Sequence, residues 1–445
     1  MIKRITLLHL LCPLISVAQV ASDSKTALGE IRWVEELSWA QLKSKAKVEN
    51  KYVFVDCYAT WCKPCKMMDK EVYTNDTVSK YINEKFIAVK VQMDSSQKDE
   101  ARIRNWYKDA HEIIRKYQVD AYPTFLFLSP EGKIVHKETG YKDVRTFLSI
   151  ISDALNPQKQ YFTLADNYMK GRKNYSLMYD LAITAYRLND TTIANRVAKD
   201  YIYNYLLHLP KYKLYTQKNI QFISGFTKSS KDKGFSFLYK NADEINKLMN
   251  NSDYVQSWVH YIIKKEKIDP VILRQQKFTS NQPDWEGLTA NITKEFNNYY
   301  AYRIIIAAKL EWFSNNKDWP QFTKYLVEFV EKYGSNMNDY SLAQNSWAIF
   351  MHSIVKTELN AALKWATKVI TRNTDSLNIL PNIMDTYANL LHKIGYLFDD
   401  KKSTQEAINM EKRAFALMNL TKNEQKINIF RATINKMQRG EPTWQ

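Results

Sequence analysis

Glycine and proline are scarce in this chain of 445 residues, which contains 10 Gly and 11 Pro. Because β-sandwiches and β-barrels need many tight turns, this scarcity argues against both folds, and it also argues against long disordered linkers. The length exceeds what one hydrophobic core supports and indicates roughly two to four domains. The hydrophobic content of 45% and the charged content of 25% are ordinary for a globular protein.

Long apolar runs are absent after the first residues, since none approaches the roughly 18 residues that span a bilayer. The chain starts with a basic MIKR, an apolar run, and small residues at Ser16 and Ala18, which is the layout of a secretory signal peptide. We expect a signal peptide over residues 1–18 and a linker over residues 19–30. A buried N-terminal helix is the alternative, which Pro13 disfavours. The mature protein is therefore expected to be exported, periplasmic or extracellular, without a transmembrane segment.

Cysteine is scarce as well. Of the four cysteines, Cys12 lies in the expected signal peptide and the others lie in DCYATWCKPCK, residues 56–66. Exported proteins stabilised by several disulfides have an even number of cysteines at wide spacings, which this cluster does not match. A zinc site needs about four ligands, but there is no second cysteine pair and the nearest histidine is His111. These observations favour a redox dithiol at Cys62 and Cys65, with no metal and no cofactor.

The surroundings of this pair are typical of a strand followed by a helix. YVFVDCYA, residues 52–59, is rich in β-branched and aromatic residues and predicts a buried strand. Residues 63–73 have helical character, so Cys62 lies at a helix N-terminus. There the free N–H groups and the helix dipole favour a thiolate, which makes Cys62 the attacking sulfur. Cys65, one turn further on, faces the same way and can resolve a mixed disulfide.

Two segments carry a family resemblance. VDCYATWCKPCK resembles the active-site stretch of the thioredoxin superfamily, including Trp61 before the first cysteine and Pro64 before the second. KYQVDAYPTFLFLSPEGKIV, residues 116–135, resembles the second hallmark of that family, and Pro123 matches its cis-proline position. EVYTNDTVSKYINEKFIAVKVQMD is similar to the exported reductase branch, which includes the membrane-bound thiol:disulfide interchange proteins.

The resemblance implies roles for further residues. Asp56 matches the buried acid that accepts a proton from the resolving cysteine, and Lys90, in FIAVKVQMD, matches the lysine that pairs with this acid. Burial raises the pKa of a carboxyl group, which suits it to proton transfer near neutral pH. The substrate-binding residues implied by the two motifs are Trp61, Tyr122, Pro123 and Thr124.

Three features need separate interpretation. Lys63 stands between the cysteines where typical thioredoxins have glycine, so the redox potential does not carry over from the family. Residues 95–116 are longer than the corresponding family segment and predict a charged, amphipathic helix, either bordering the site or simply solvated. Cys57 neighbours Asp56 on the predicted strand, so their side chains point to opposite faces. We expect a buried, inert thiol at Cys57, with a regulatory role as the alternative.

The chain beyond residue 157 is predicted to be helical almost throughout, because apolar residues recur at steps of three and four. Near residues 340–420 the sequence shows a weak internal similarity, an echo of one segment in the next, in which Ala362 and Val369 correspond to Ala407 and Ala414 at an offset of 45. The second copy resembles a tetratricopeptide repeat, although the offset exceeds the usual length of about 34. Stacked helix pairs form concave surfaces that bind protein partners, and a plain structural domain is the equal alternative.

The net charge of +17 raises the question of nucleic acid binding. The lysines are spread along the helices and do not form runs, and export would remove the protein from most nucleic acid. We therefore expect no nucleic acid partner, and attraction to an anionic envelope surface is a secondary alternative.

The sequence thus predicts an α/β thioredoxin-like domain over residues 31–156, a central mixed sheet flanked by helices, followed by a larger all-α, repeat-like domain over residues 157–440. The predicted function is an exported thiol–disulfide oxidoreductase that reduces or isomerises disulfides of envelope proteins through its CxxC dithiol. Its partners would be disulfide-containing or thiol proteins and an electron donor or acceptor. The alternative is a helical-repeat adaptor whose thioredoxin-like domain serves mainly as a binding module.

Overall fold

The computed structural model describes residues 30–278 and 281–444, which form two compact units divided between Tyr201 and Ile202. The expected signal peptide, Cys12, and all of the expected linker except its last residue lie outside the described residues. The expected domain boundary at residues 156 and 157 stays a prediction.

A four-stranded mixed sheet organises the first unit. The strands are β1 (Tyr52–Tyr58), β2 (Phe86–Gln92), β3 (Thr124–Leu128) and β4 (Ile134–Thr139), in the spatial order β2-β1-β3-β4. Strand β1 pairs with β2 in parallel and with β3 antiparallel, and β3 pairs antiparallel with β4. The predicted strand at residues 52–59 and the predicted mixed sheet are therefore confirmed.

The described residues of the first unit also form helices. They are α1 (Trp39–Glu49), α2 (Lys63–Met67), α3 (Asp76–Lys85), α4 (Ala101–Tyr117), α5 (Val144–Ala154), α6 (Tyr161–Met169), α7 (Tyr175–Arg187) and α8 (Thr191–Asn204), and a π-helical segment, Met68–Val72, continues directly from α2. Local capping defines several starts: Ser38 forms a reciprocal capping box with Gln41 at α1, and the Asp143 carboxylate accepts the N–H of Thr146 at α5. The helix predicted within residues 95–116 is present as α4.

The sheet has a hydrophobic layer on each face, because successive side chains of a strand point to opposite sides. Phe54 and Phe127 pack with Phe147 of α5 on one face. Val55 and Cys57 pack with α1 and α4 on the other. The strands are thus buried on both sides, which explains the largely apolar sequences of β1, β2 and β3.

The second unit is helical. Its α-helices are α9 (Lys211–Leu214), α10 (Gln217–Phe226), α11 (Lys233–Lys240), α12 (Ala242–Leu248), α13 (Tyr254–Ile263), α14 (Asp269–Phe278), α15 (Trp285–Glu295), α16 (Asn298–Asn315), α17 (Trp319–Tyr333), α18 (Asp339–His352), α19 (Lys356–Arg372), α20 (Leu380–Phe398), α21 (Lys401–Leu420) and α22 (Glu424–Gln438). Consecutive helices pack against one another from α15 to α17 and from α18 to α22. The predicted fold class, an α/β domain followed by a long all-helical region with paired helices, is confirmed.

The echo seen in the sequence falls on equivalent helices. Ala362 and Val369 are buried on α19, and their counterparts Ala407 and Ala414 are buried on α21. The close approach of α20 and α21 depends on Gly395, because a Cβ atom there would collide with Thr404. The assignment of these helix pairs to tetratricopeptide-like repeats stays a prediction.

Within the described residues, none of the helices is both long enough and apolar enough to cross a membrane.

Candidate active site

The site lies where β1 ends and α2 begins. Cys62 is the N-cap residue of α2, Pro64 occupies the first turn, and the Cys65 N–H donates to Cys62 Sγ at 3.1 Å. Cys62 and Cys65 form a disulfide and are buried to all but 1% and 4% of their surface. The predicted helix N-terminus at Cys62 and the pairing of the two cysteines are confirmed.

The residues predicted to bind substrate lie around this disulfide. Trp61 is 71% exposed, and its ring makes an edge-on contact with Tyr122 at 5.8 Å between centroids. Tyr122 also packs against the cluster of Ala59 and the two cysteines, and the Tyr122–Pro123 peptide bond is cis. Thr124 differs from the others, because its side chain is fully buried and its hydroxyl donates to the carbonyl of Ala121 at 2.7 Å. Trp61 and Tyr122 therefore form the exposed side of the site.

The predicted proton acceptor is buried beneath the sheet surface. Asp56 is 1% exposed, and it lies opposite Lys90 in the β1–β2 register. The Lys90 Nζ atom is 3.9 Å from Asp56 Oδ2, whereas Asp56 Oδ1 has no hydrogen-bond partner. The structure thus brings the two residues together, as the resemblance implies, but it does not join them by a hydrogen bond.

Asp69 is a member of this cluster that sequence reasoning missed. Its carboxylate forms the direct ion pair and hydrogen bond with Lys90. Asp69 lies on the π-helical segment that continues from α2, one turn beyond Cys65. The signal in the sequence was an acidic residue one helical turn after the second cysteine, but its partner depends on how the helix meets β2.

Burial dominates the electrostatics of Asp56. Loss of solvent raises the pKa of Asp56 to about 7, and the Lys90 charge opposes this rise while the Asp69 charge adds to it. A carboxyl group with this pKa exchanges protons near neutral pH, which is the property that a general acid or base requires.

Three aromatic rings surround the Lys90 ammonium group. Its Nζ atom lies 5.0 Å from the ring centre of Tyr58, 5.7 Å from that of Trp33 and 5.8 Å from that of Tyr73. Rings at these distances attract a cation. The Lys90 side chain is 24% exposed, and its ammonium group contacts these rings as well as Asp69 and Asp56.

The loop before Cys62 is fixed by the segment that follows β2. Asp94 accepts hydrogen bonds from the backbone N–H of Thr60, at 3.0 Å, and from the Thr60 hydroxyl. Tyr107 of α4 donates to Asp99 at 2.6 Å, and Asp99 in turn accepts from Gln92 at 2.8 Å. Asp94, immediately before the longer segment of residues 95–116, thus contacts the loop, while α4 within that segment packs its buried face against the sheet.

Cys57 is separate from this chemistry. It is completely buried in the layer opposite Asp56, and burial raises the pKa of its thiol well above the ordinary value. The predicted burial is confirmed. Its inertness stays a prediction.

Metal ligation finds no support in the part of the chain that the structure describes, where no group of three or more His, Cys, Asp or Glu side chains could hold an ion.

Comparison with known proteins matches residues 40–155 to a family model described as a thioredoxin-like domain. Thioredoxin H4 of Arabidopsis thaliana is 30% identical over 102 residues, which are 23% of this chain and 71% of that protein. Thiol:disulfide interchange protein DsbD 2 of Pseudomonas aeruginosa is 27% identical over 107 residues, so this chain spans only 16% of that relative's length. A solved thioredoxin from Thermus thermophilus is 22% identical over 28% of this chain and 88% of that one, at a TM-score of 0.24. Through its residues 40–155, the chain belongs to the thioredoxin-like family.

Proposed function

We propose that this protein is an exported thiol–disulfide oxidoreductase that reduces, or isomerises, disulfides of envelope proteins. The observation that carries the proposal is the Cys62–Cys65 disulfide at the start of α2, next to the exposed Trp61. The buried Asp56 on the preceding strand adds a group that exchanges protons near neutral pH. The thiol:disulfide interchange proteins among the relatives support thiol–disulfide exchange as the reaction class. Export rests on residues 1–18 of the sequence.

The reaction begins with the reduced pair. The Cys62 thiolate attacks one sulfur of a substrate disulfide, so a Cys62–substrate disulfide forms and the other substrate sulfur leaves as a thiolate. Trp61 and Tyr122 contact the bound segment beside the Pro123 loop. The free N–H groups at the start of α2 stabilise the Cys62 thiolate before attack.

Resolution uses the second cysteine. Cys65 transfers its proton to Asp56 and attacks the Cys62 sulfur. The Cys62–Cys65 disulfide forms, the remaining substrate sulfur leaves as a thiolate, and two electrons have passed to the substrate. A separate dithiol donor then reduces the pair before the next turnover. Oxidation of a client uses the same residues in reverse and needs an electron acceptor.

Reduction of insulin by the full-length protein, with dithiothreitol as donor, tests the proposal. Cys62→Ser is expected to abolish turnover, and Cys65→Ser is expected to accumulate a mixed disulfide that is visible by mass spectrometry. Cys57→Ala is the matched control, since it removes a buried thiol on the opposite face of β1 and should keep turnover. Turnover that survives Cys62→Ser would contradict the assignment. No turnover by the wild type with any thiol donor would favour the adaptor alternative, in which the paired helices bind a protein partner.

A further inference from the structure

Three charged side chains meet at one edge of the candidate site. Lys90 makes its direct ion pair with Asp69, while its Nζ atom stays 3.9 Å from Asp56 Oδ2. The three side chains differ in exposure: Asp69 is 46% exposed, Lys90 is 24% exposed and Asp56 is buried. The ammonium group therefore lies between a solvated carboxylate and a buried one, and its closer contact is with the solvated one.

This arrangement determines how strongly the Lys90 charge stabilises the ionised form of Asp56. An opposite charge in close contact stabilises the ionised form of a carboxyl group and lowers its pKa. Asp69 acts against this in two ways, since it holds the ammonium group in closer contact than Asp56 does and adds a negative charge of its own. Both effects favour the protonated form of Asp56.

The position of Asp69 connects it with the reacting cysteines. It follows Cys65 by one turn on the continuous helix formed by α2 and the π-helical segment Met68–Val72. The helix that presents the disulfide thus also carries the carboxylate that competes for Lys90.

The other groups around Asp56 are aromatic, apolar or thiol side chains, so Asp69 is the carboxylate whose charge acts on Asp56 together with that of Lys90. Tyr73, just after the π-helical segment, has a buried hydroxyl close enough to Asp56 to lower the pKa of that carboxyl group. On β3 the register partner of Asp56 is the apolar Phe125, and on its own strand the nearby titratable groups are Cys57 and Tyr58. Among the described residues, the charged groups that act on Asp56 most strongly are Lys90 and Asp69.

We propose that Asp69 is a positioning residue for Asp56: it binds the Lys90 ammonium group away from the buried carboxyl group and so keeps Asp56 basic enough to accept the Cys65 proton. The proton transfer rests on the function proposed above. The electrostatic effect on Asp56 does not, because it follows from the three side chains alone.

Carbon-13 NMR titration of the aspartate carboxyl signals in the reduced, full-length protein tests this effect without any need for turnover. The Asp56 signal is assigned by its loss in Asp56→Asn. In Asp69→Asn the Asp56 pKa is expected to fall by about 1 pH unit, because Lys90 is then free to pair with Asp56. Asp69→Glu should restore most of the difference.

Two further variants make the result specific. Glu71→Gln removes a carboxylate two residues away that accepts a hydrogen bond from Tyr141 at 2.8 Å, and it should leave the Asp56 pKa unchanged. Lys90→Gln should raise the Asp56 pKa, and adding Asp69→Asn to it should then have a smaller effect than in the wild type, because Asp69 acts partly through Lys90. An unchanged or higher Asp56 pKa in Asp69→Asn, or an equal fall in Glu71→Gln, would overturn the proposal.

The pH dependence of insulin reduction tests whether the electrostatic effect of Asp69 on Asp56 alters the rate of the reaction. In Asp69→Asn the midpoint of the rate profile should move to lower pH by the same amount as the Asp56 pKa, and the rate above the midpoint should fall about threefold, since a weaker base removes the proton more slowly. A shifted NMR titration with an unshifted rate profile would overturn the proposed role in proton transfer. Absence of wild-type turnover would refute the proposed function instead, and the NMR titration would still decide the electrostatic effect.

Discussion

Replacing Asp56 by asparagine should stabilise the first unit at alkaline pH. The folded protein raises the pKa of this carboxyl group from 3.8 to about 7, because the ionised form loses its solvation. The folded state therefore binds a proton that the unfolded chain has released, and stability falls as the pH rises from about 4 to about 7. The difference of about three pH units corresponds to about 4 kcal/mol, of which roughly 2.5 kcal/mol is lost between pH 5 and pH 8. The variant has no charge to bury, so its advantage over the wild type should be larger at pH 8 than at pH 5 by that amount.

Urea-dependent hydrogen exchange, read by mass spectrometry on peptides from β1 and β3, measures this difference. Peptide-level exchange isolates the sheet from the helical unit, which matters because a protein with two compact units need not unfold in one step. Asp76→Asn is the control, since it neutralises an exposed carboxylate in the first turn of α3 and should change stability by less than about 1 kcal/mol, nearly equally at both pH values. If Asp56→Asn gained the same stability at pH 5 and pH 8, burial of the charge would not be the cause and the reasoning would be refuted.

Three other predictions concern separate parts of the structure. Gly395→Ala should destabilise the second unit by about 1–3 kcal/mol in urea unfolding, because its Cβ atom would collide with Thr404. The control variant Gly225→Ala has open space around its Cβ atom and should be neutral or stabilising. Equal effects of the two substitutions would contradict the close contact between α20 and α21. Iodoacetamide should label Cys57 in the oxidised protein only after unfolding, and labelling of the folded protein would show that the thiol is accessible. Trp61→Ala should reduce insulin turnover with little change in stability, because the ring is 71% exposed; unchanged turnover would exclude it from substrate binding.

Much of the fold and site followed from local sequence. The apolar run at residues 52–59 predicted β1, the helical segment after it placed Cys62 at a helix N-terminus, and the family resemblance singled out Asp56, six residues before Cys62, as the buried acid. These features depend on residues close together in the chain, where the periodicity of strands and helices determines which side chains share a face. The helical content after residue 157 was predictable for the same reason.

Contacts between distant segments were harder to predict from the sequence. The resemblance paired Lys90 with Asp56, and the β1–β2 register confirms that they are neighbours, but the direct partner of Lys90 is Asp69. Thr124 was expected to bind substrate, which stays a prediction, and the structure places its side chain in the interior. Neither outcome follows from spacing alone, because each depends on a rotamer chosen by packing between segments.

The sequence, through its resemblance to the thioredoxin superfamily, predicted that two cysteines at a helix start, a carboxyl group on the preceding strand and a proline loop belong to one site. The balance of charge among these side chains depends on tertiary contacts that the sequence does not show. The pKa of Asp56 depends on burial and on the distances to Lys90 and Asp69, and those side chains come from three segments that meet only in the folded protein. Electrostatic energies change steeply with separation and with solvent exposure, so a list of matching residues cannot supply them.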